Sequence, residues 1–490
     1  MVSIIMAEDS VNSLKKRAIA GIAWSTIDKI ISRGVSFVVN IVIARILMPS
    51  DYGVIGMLSI FITLSNLLVD SGMSQALVQN KNRTQADLST AFYFNVIIGL
   101  SCYCILFLIA PLIASFYSVP ILTRILRVIG LNVVFNSMAT VQRANLLAKI
   151  DFKSIAIVNA ISVLVSGAFG IYMAYRGGGV WSLVAQSLSC QLLSAVTFWI
   201  IGHWTPSFLF SKESFLRLWN YGVKLLVAGT LSTIIREINT LVIGKVYRQE
   251  ELGYYQRAVH TTDAISGTMN EIVNTVSFPV LAEVQDQPQR LISVYSRMLS
   301  LSAFIMFPSM TLLAVLAEPL VELLLTTKWL PVVPLLQWLC FARMLTPISS
   351  INLNLLNAIG RSDLFLKVDL SKLPMTIIAL VITLPISVKA VVIGNFITTF
   401  ISYFINAYLP GKMFGFGVKA QFHLFYKIII ASLLMAIIAI IIKDMFQHPF
   451  PRLVVVGFIS LICYLIICRL FKLPVLKECW ELIVSKTRRS

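Results

Sequence analysis

The sequence predicts an all-α polytopic membrane protein with about fourteen transmembrane helices. Three observations lead to this fold class: the apolar composition, the succession of long apolar runs, and the uneven charge of the connections between them. Of the 490 residues, 58% are hydrophobic and 13% are charged, whereas a soluble globular protein is about half apolar and about a quarter charged. The apolar excess therefore needs a solvent other than water.

The apolar runs are long enough to cross a bilayer as helices, which takes about 20 residues each. The longest polar connection between them, from His203 to Arg217, is too short for an independently folded domain. The predicted spans are 19–47, 53–78, 89–116, 122–146, 155–175, 180–201, 219–247, 253–281, 298–325, 332–357, 368–386, 389–409, 426–442 and 453–470.

The charge of the connections predicts the orientation. Connections on the side of the two termini carry 20 Lys and Arg residues, and the opposite connections carry six. Because positive residues accumulate on the cytoplasmic side of membrane proteins, we expect both termini in the cytoplasm. The formal net charge of +18 would suggest a nucleic-acid partner in a soluble protein, but here the membrane explains it, so no nucleic-acid partner is expected.

A repeated motif divides the chain into two halves. The segment 44–53 ends the first span and contains Asp51 and Gly53, and 200 residues later the segment 244–253 contains Glu251 and Gly253. Such a parallel repeat of six spans occurs in several transporter folds. We therefore expect two six-helix bundles, followed by two additional helices. The predicted divisions are an N-terminal lobe at 1–201, a cytoplasmic linker at 202–218, a C-terminal lobe at 219–409, and two further helices with a cytoplasmic tail at 410–490.

Polar and charged residues form stripes on a subset of the spans, at the three- and four-residue spacing of one helix face. Charge within a span is costly and usually faces a partner or a water-filled cavity. The substrate-binding candidates are Lys29, Arg33, Asn40, Asp70, Arg143, Arg236, Arg257, His260, Asn270 and Arg343. The acids that could bind a coupling cation or form ion pairs are Asp28, Asp70, Glu237, Asp263 and Glu271.

Two interpretations of these stripes stay open. Each Ser, Thr or Asn taken singly could join neighbouring helices by hydrogen bonds, and neighbouring charges could be structural ion pairs. Taken together, the stripes predict one cationic cavity lined by equivalent helices of the two halves. Guanidinium and ammonium groups in such a cavity could bind phosphates, Arg by two parallel hydrogen bonds and Lys as a point charge.

Three segments of the sequence resemble the polysaccharide transporter branch of the multidrug/oligosaccharidyl-lipid/polysaccharide (MOP) exporter superfamily, and in particular its Wzx-type flippases. They are the run from Ala44 to Gly53, then Asp70-Ser71-Gly72 with Ala76-Leu77-Val78-Gln79, then Ser89-Thr90-Ala91-Phe92-Tyr93 with Asn95.

The resemblance implies a fold of two V-shaped six-helix lobes and a location in the bacterial cytoplasmic membrane. It implies alternating access to a cavity and a substrate made of oligosaccharide on an undecaprenyl pyrophosphate carrier. Lys29, Arg33 and Arg236 would then meet pyrophosphate or acidic sugars. A polysaccharide polymerase or a chain-length regulator is the implied protein partner.

Two other function classes were weighed against a flippase. A cation-coupled exporter of drugs or small metabolites would use carboxylates such as Asp70 or Asp263. A membrane enzyme is disfavoured, since the outward connections are short and no nucleotide-binding glycine loop is present. No cofactor or metal is expected, because His203, His260, His423 and His448 are scattered without metal-ligand spacing.

Overall fold

The computed structural model describes residues 24, 28–29, 31–80, 82–478 and 481, with the backbone alone at 221 and 224. The described chain consists of helices and short connections and contains no strand. This confirms the predicted all-α fold class. The chain divides into two compact units, Met1–Gly253 and Tyr254–Ser490.

The helices of the first unit follow one another with short turns. They are α1 (31–46), α2 (Pro49–Asp70), α3 (Met73–Gln79), α4 (Gln85–Tyr117), α5 (Ile121–Ile129), α6 (Leu131–Ala148), α7 (Phe152–Tyr175), α8 (Val180–Gly202), α9 (Lys212–Val246) and the first turn of α10 (Gln249–Glu283). Within this unit α9 packs against α2, α3 and α4. The predicted division at residue 218, which follows the sequence repeat rather than compactness, stays a prediction.

The second unit contains the rest of α10 and the remaining helices. They are α11 (Pro288–Val315), α12 (Ala317–Leu325), α13 (Val332–Met344), α14 (Thr346–Ala358), α15 (Ser362–Ser371), α16 (Leu373–Thr383), α17 (Val388–Phe414), α18 (Val418–Lys443) and α19 (Pro449–Leu470), with a 3-10 turn at Thr327–Trp329. The core of this unit is built around fully buried side chains such as Tyr295, Leu299 and Met435. The two last helices belong to it, since α18 packs against α11 and α19.

Eleven helices of the described chain are long and apolar enough to cross a membrane. Their apolar side chains are exposed in large numbers, as for Leu108 at 73% and Ile441 at 64%, which fits a hydrocarbon surrounding. Three of the predicted spans are not among the eleven. The first lies partly outside the described residues, the eighth is the polar α10, and the eleventh is divided into α15 and α16. The count of fourteen therefore stays a prediction.

Several predicted spans are broken helices, for local reasons that the sequence contains. Ser71 and Gly72 adopt positive φ angles of 50° and 70° and separate α2 from α3. Pro347 and Pro374 stand in the first turns of α14 and α16, where the missing N–H costs nothing, and they end the preceding helix. The hydrophobic pattern identifies the span, but it does not show where the helix within the span is broken.

Candidate functional site

The basic candidates of the first unit lie on exposed helix surfaces. Lys29 and Arg33 are exposed at and near the start of α1, and Arg143 is exposed on α6. The Arg236 side chain on α9 is 65% exposed, and its Nε lies 3.5 Å from an oxygen of the adjacent Glu237. Asn40 donates its side-chain amide to the carbonyl of Ser36 within α1, at 2.8 Å. The basic side chains of this unit are therefore exposed. The Asn40 amide, in contrast, is hydrogen-bonded to a backbone carbonyl of its own helix.

The acidic candidates of the first unit have different surroundings. Both carboxylate oxygens of Asp28 accept the side-chain amide of Asn159 on α7 at 3.1 Å, and one also accepts the Ser32 hydroxyl at 3.0 Å. Glu237 accepts the hydroxyl of Ser59 on α2 at 3.4 Å. Asp70 differs from both, because its buried Oδ1 has no hydrogen-bond partner among the described residues.

In the second unit the candidate cations are held by protein groups. Arg343 on α13 forms an ion pair with Asp263 on α10, with 3.0 Å between Nε and Oδ1. The guanidinium of Arg257 lies 5.4 Å above the buried ring of Trp329, and only 9% of the residue is exposed. His260 and Glu271 are exposed on α10. The structure therefore brings Arg343 and Asp263 together and packs Arg257 into the protein.

The amides of the polar stripes join helices in the same way in both units. In the first unit, Asn136 on α6 donates to Asn66 on α2 at 3.0 Å. In the second, Ser350 on α14 donates to Asn270 on α10 at 2.6 Å. Asn354 on α14 also donates to Asn274 on α10 at 2.9 Å. These bonds favour the packing interpretation for the neutral members of the stripes, which is common for amides in membrane helices.

The two copies of the repeated motif meet each other. A Cβ atom added at Gly53 would lie 1.7 Å from the carbonyl oxygen of Gln249, and one added at Gly253 would lie 1.9 Å from the carbonyl oxygen of Pro49. Gln249 follows Pro49 by the same 200 residues, so the contact is reciprocal. Asp51 accepts the Met48 N–H at 3.0 Å and caps α2, as its position at a helix start indicates. The glycines at 53 and 253 therefore allow a close approach of the two backbones.

Cavities within the second unit contain none of the candidate residues. One, of about 580 Å³, lies among α11, α13 and α18, and Lys443 is the charged residue of its otherwise largely apolar lining. Another, of about 520 Å³, lies between α15 and α17 beside Lys367. Among the described residues no group of three or more His, Cys, Asp or Glu side chains could hold a metal ion.

The structure also shows polar clusters that the analysis of stripes missed. Asp87, fully buried in the first turn of α4, accepts a 2.5 Å bond from Arg217 on α9. In the second unit, Tyr295, Asn352, Tyr403 and Gln421 share a buried hydrogen-bond network. A capping-box pattern of Thr84 and Asp87 was a visible signal for the first cluster. The second had no signal, because its four residues are far apart in sequence and show no spacing pattern.

The chain is similar in sequence to several known proteins. The model of a family described as polysaccharide biosynthesis protein matches residues 42–334. The lipopolysaccharide biosynthesis protein WzxC of Escherichia coli is 26% identical over 376 residues, which is 76% of each chain. The succinoglycan biosynthesis transport protein ExoT of Rhizobium meliloti is 23% identical over 336 residues, which is 68% of each chain.

Solved structures show the same fold. The lipid II flippase MurJ in an inward closed conformation superposes with a TM-score of 0.76 at 16% identity, covering 91% of this chain and 98% of its own. An inward-facing multidrug resistance transporter of the MATE family, itself of the MOP superfamily, superposes with a TM-score of 0.60 at 14% identity. The match covers 79% of this chain and 97% of the transporter. Of these proteins, ExoT is described as a transport protein, MurJ as a flippase and the MATE protein as a transporter. The chain is a multi-pass membrane protein that belongs to the polysaccharide biosynthesis protein family and has the fold of the MOP exporter superfamily.

Proposed function

We propose that this protein moves an oligosaccharide linked to undecaprenyl pyrophosphate from the cytoplasmic to the outer leaflet of the bacterial cytoplasmic membrane. The glycan would be a repeat unit of O-antigen, capsule or exopolysaccharide. The family and the flippase-like fold support the class of transport. The single observation that carries the choice of an anionic substrate is the exposure of Arg33, Arg143 and Arg236 on helices of an apolar protein.

A cation on a membrane helix is expensive unless water or an anion accompanies it. Asp28 accepts the side-chain amide of Asn159, and an oxygen of Glu237 lies 3.5 Å from Nε of Arg236, whose side chain is still 65% exposed. The exposed guanidinium groups offer forked donors that fit the oxygens of a pyrophosphate. A hydrated cationic cavity, opened by alternating access to one side and then the other, would lower the barrier for the headgroup while the prenyl tail stays in lipid.

The proposal is tested by two substitutions, Arg33→Ala and Arg236→Ala, in cells that depend on this protein for surface polysaccharide. Each should leave insertion intact and abolish export, and Arg33→Lys should retain part of it. Arg176→Ala is the matched control, because Arg176 is an exposed arginine at the end of α7. Normal export by both alanine variants, at wild-type protein levels, would contradict the proposal.

A second candidate function is cation-coupled export of a drug or small metabolite. One observation favours it: Oδ1 of Asp70 is buried without a hydrogen-bond partner among the described residues, as expected of a carboxylate that takes up a proton or a cation. Transport of an organic cation that is lost in Asp70→Asn and unaffected by Arg33→Ala would favour this candidate. Loss of polysaccharide export in Arg33→Ala and Arg236→Ala, with export retained in Asp70→Asn, would favour the flippase.

A further inference from the structure

The segment 203–211, which connects α8 to α9 and is called the connecting strap, is fixed along α4. The backbone N–H of Ser207 donates to Oγ of Ser89 at 3.1 Å, and that of Ser211 donates to Oγ1 of Thr90 at 3.0 Å. Ser89 and Thr90 are fully buried. Ser89 and Thr90, which belong to the family-like segment 89–95, therefore hold the strap in place by hydrogen bonds.

The strap is also fixed at its beginning. The carbonyl of Thr205 accepts the side-chain amide of Gln85 at 2.8 Å, and the indole N–H of Trp204 donates to Oε1 of Gln85 at 2.6 Å. The carbonyl of Trp204 accepts the amide of Gln142 on α6 at 2.6 Å. With these bonds the backbone of the strap has a defined path, so the direction in which its side chains point is set by the fold.

Three consecutive large apolar side chains project from this fixed backbone. Phe208 is 99% exposed, and Leu209 and Phe210 are each 57% exposed. Leu216, one turn into α9, is also exposed at 46%. An exposed apolar patch on a fixed backbone indicates a surface that meets an apolar partner.

The patch lies beside helix ends, where a membrane–water boundary is expected. The strap lies where α8 ends and where α4 and α9 begin, and all three helices contain candidate spans. Trp204 in the strap and Trp199 on α8 pack against the Phe92 ring of α4 at 6.0 and 5.5 Å, and Trp219 on α9 packs against Phe94 of α4. Tryptophan is enriched at this boundary, where its amphipathic ring is stable.

One positive group stands beside the patch. Lys212 directly follows the strap and is exposed. Lys212 stands in the first turn of α9, where the helix dipole disfavours a cation. An anionic lipid headgroup beside the strap would compensate this charge, since basic groups near a membrane surface are attracted to anionic lipids.

We infer that Phe208, Leu209 and Phe210 insert into the headgroup region of the adjacent bilayer leaflet, with Lys212 beside an anionic lipid. The strap is then a membrane-surface anchor, held to the first unit by Ser89 and Thr90. This inference is independent of the substrate that the protein carries. A protein partner for the same patch is the alternative that the experiment must exclude.

The test uses the full chain, with its native cysteines replaced, in nanodiscs of phosphatidylcholine and phosphatidylglycerol. Single cysteines at 208, 209 and 210 carry a nitroxide label, and Thr205→Cys is the matched control on the same strap, since Thr205 is exposed but not apolar. Collision with oxygen, which concentrates in lipid, is compared with collision with a water-soluble nickel chelate. The three labels should show an oxygen-to-nickel ratio several-fold above that of the control.

The lipid dependence gives the second readout. Removing phosphatidylglycerol should lower the ratio at 210, next to Lys212, and Lys212→Gln should remove that difference. Ratios at 208–210 equal to that at 205 would overturn the inference. So would labels that are aqueous in nanodiscs but shielded in native membranes, because that result assigns the patch to a protein partner.

Discussion

Gly53 and Gly253 show how a single residue can be constrained by the backbone of another helix. The repeat in the sequence identified both positions, but it did not predict that the two copies touch. Sequence periodicity reports which side chains share a face, and a contact between two backbones leaves no apolar pattern. The requirement becomes visible only when the missing Cβ atoms are placed against Gln249 and Pro49.

We predict that Gly53→Ala and Gly253→Ala each destabilise the protein by about 1–3 kcal/mol or more, the range seen when atoms are forced into a packed site. The reason is that the added methyl group would overlap a backbone carbonyl, which cannot turn aside as a flexible side chain can. Thermal unfolding in detergent measures the effect. Gly457→Ala in α19 is the control, because its Cβ would meet Leu316 at an ordinary 3.6 Å. Equal melting temperatures for all three variants would refute the close contact.

The candidate residues illustrate the limits of prediction at this scale. The spacing of charges selected Arg33 and Arg236, which the fold leaves exposed. It could not distinguish them from Arg257, which lies against Trp329 in the protein interior. Both kinds lie on helices that carry polar stripes, and only the positions of neighbouring helices decide which one is covered.

Asp87 and Arg217 provide a second test at the residue scale. Asp87 is fully buried and Arg217 is half exposed, so Arg217→Ala leaves a buried carboxylate without its cation. We predict a loss of stability of about 1–3 kcal/mol, the cost of leaving one buried polar partner unsatisfied. The double variant with Asp87→Asn should lose less than the sum of the single variants. Strict additivity in this double-mutant cycle, measured by reversible unfolding, would show that the two side chains do not interact.

At the scale of elements, the apolar runs identified the helices well and their interruptions poorly. The runs from Pro49 to Gln79 and from Val332 to Ala358 each count as one span, yet each is divided into two helices. Pro347 and the pair Ser71-Gly72 carry the local signal. A hydropathy window averages over such short signals, so the element is found and its internal break is not.

The attachment of α18 also escaped prediction, because the predicted span 426–442 carries few polar groups and begins after Gln421. The structure joins it to the second unit through Gln421, which donates to Tyr295 at 2.9 Å and accepts from Tyr403 at 3.1 Å. Gln421 and Asn352 are fully buried. One polar residue at the start of an apolar helix thus specifies where this helix docks.

We predict that Gln421→Leu loosens the packing of α18, because the buried hydroxyl groups of Tyr295 and Tyr403 lose this hydrogen-bond partner. The expected loss of stability is about 1–3 kcal/mol for each group left unsatisfied. Hydrogen exchange of the backbone in Val418–Lys443 should become faster, while exchange in the first unit is unchanged. Gln285→Leu is the control, since Gln285 is exposed in the turn before α11. Unchanged exchange in α18 would show that apolar packing alone holds it.

At the scale of the whole molecule, composition and the succession of apolar runs predicted a multi-pass membrane protein, and the family-like segments pointed to polysaccharide transport proteins, in agreement with the family whose model matches. The compact units and the sequence repeat divide the chain at different places, because α9 packs on α2 in the first unit although the repeat pairs it with the first span. The repeat compares sequence positions, whereas the compact units reflect the contacts of one conformation. The orientation of the termini remains a prediction from the basic residues of the connections.

We propose that this protein translocates a lipid-linked oligosaccharide by means of exposed basic side chains. The most direct measurement places undecaprenyl-pyrophosphate-linked oligosaccharide in proteoliposomes containing the purified protein and follows its arrival in the opposite leaflet with a membrane-impermeant glycosidase. We predict transfer at least about tenfold faster than in protein-free liposomes, a difference of about 1.4 kcal/mol in the barrier, and its loss in Arg33→Ala and Arg236→Ala. Transfer at the protein-free rate by the wild type, or at the wild-type rate by both variants, would contradict the claim.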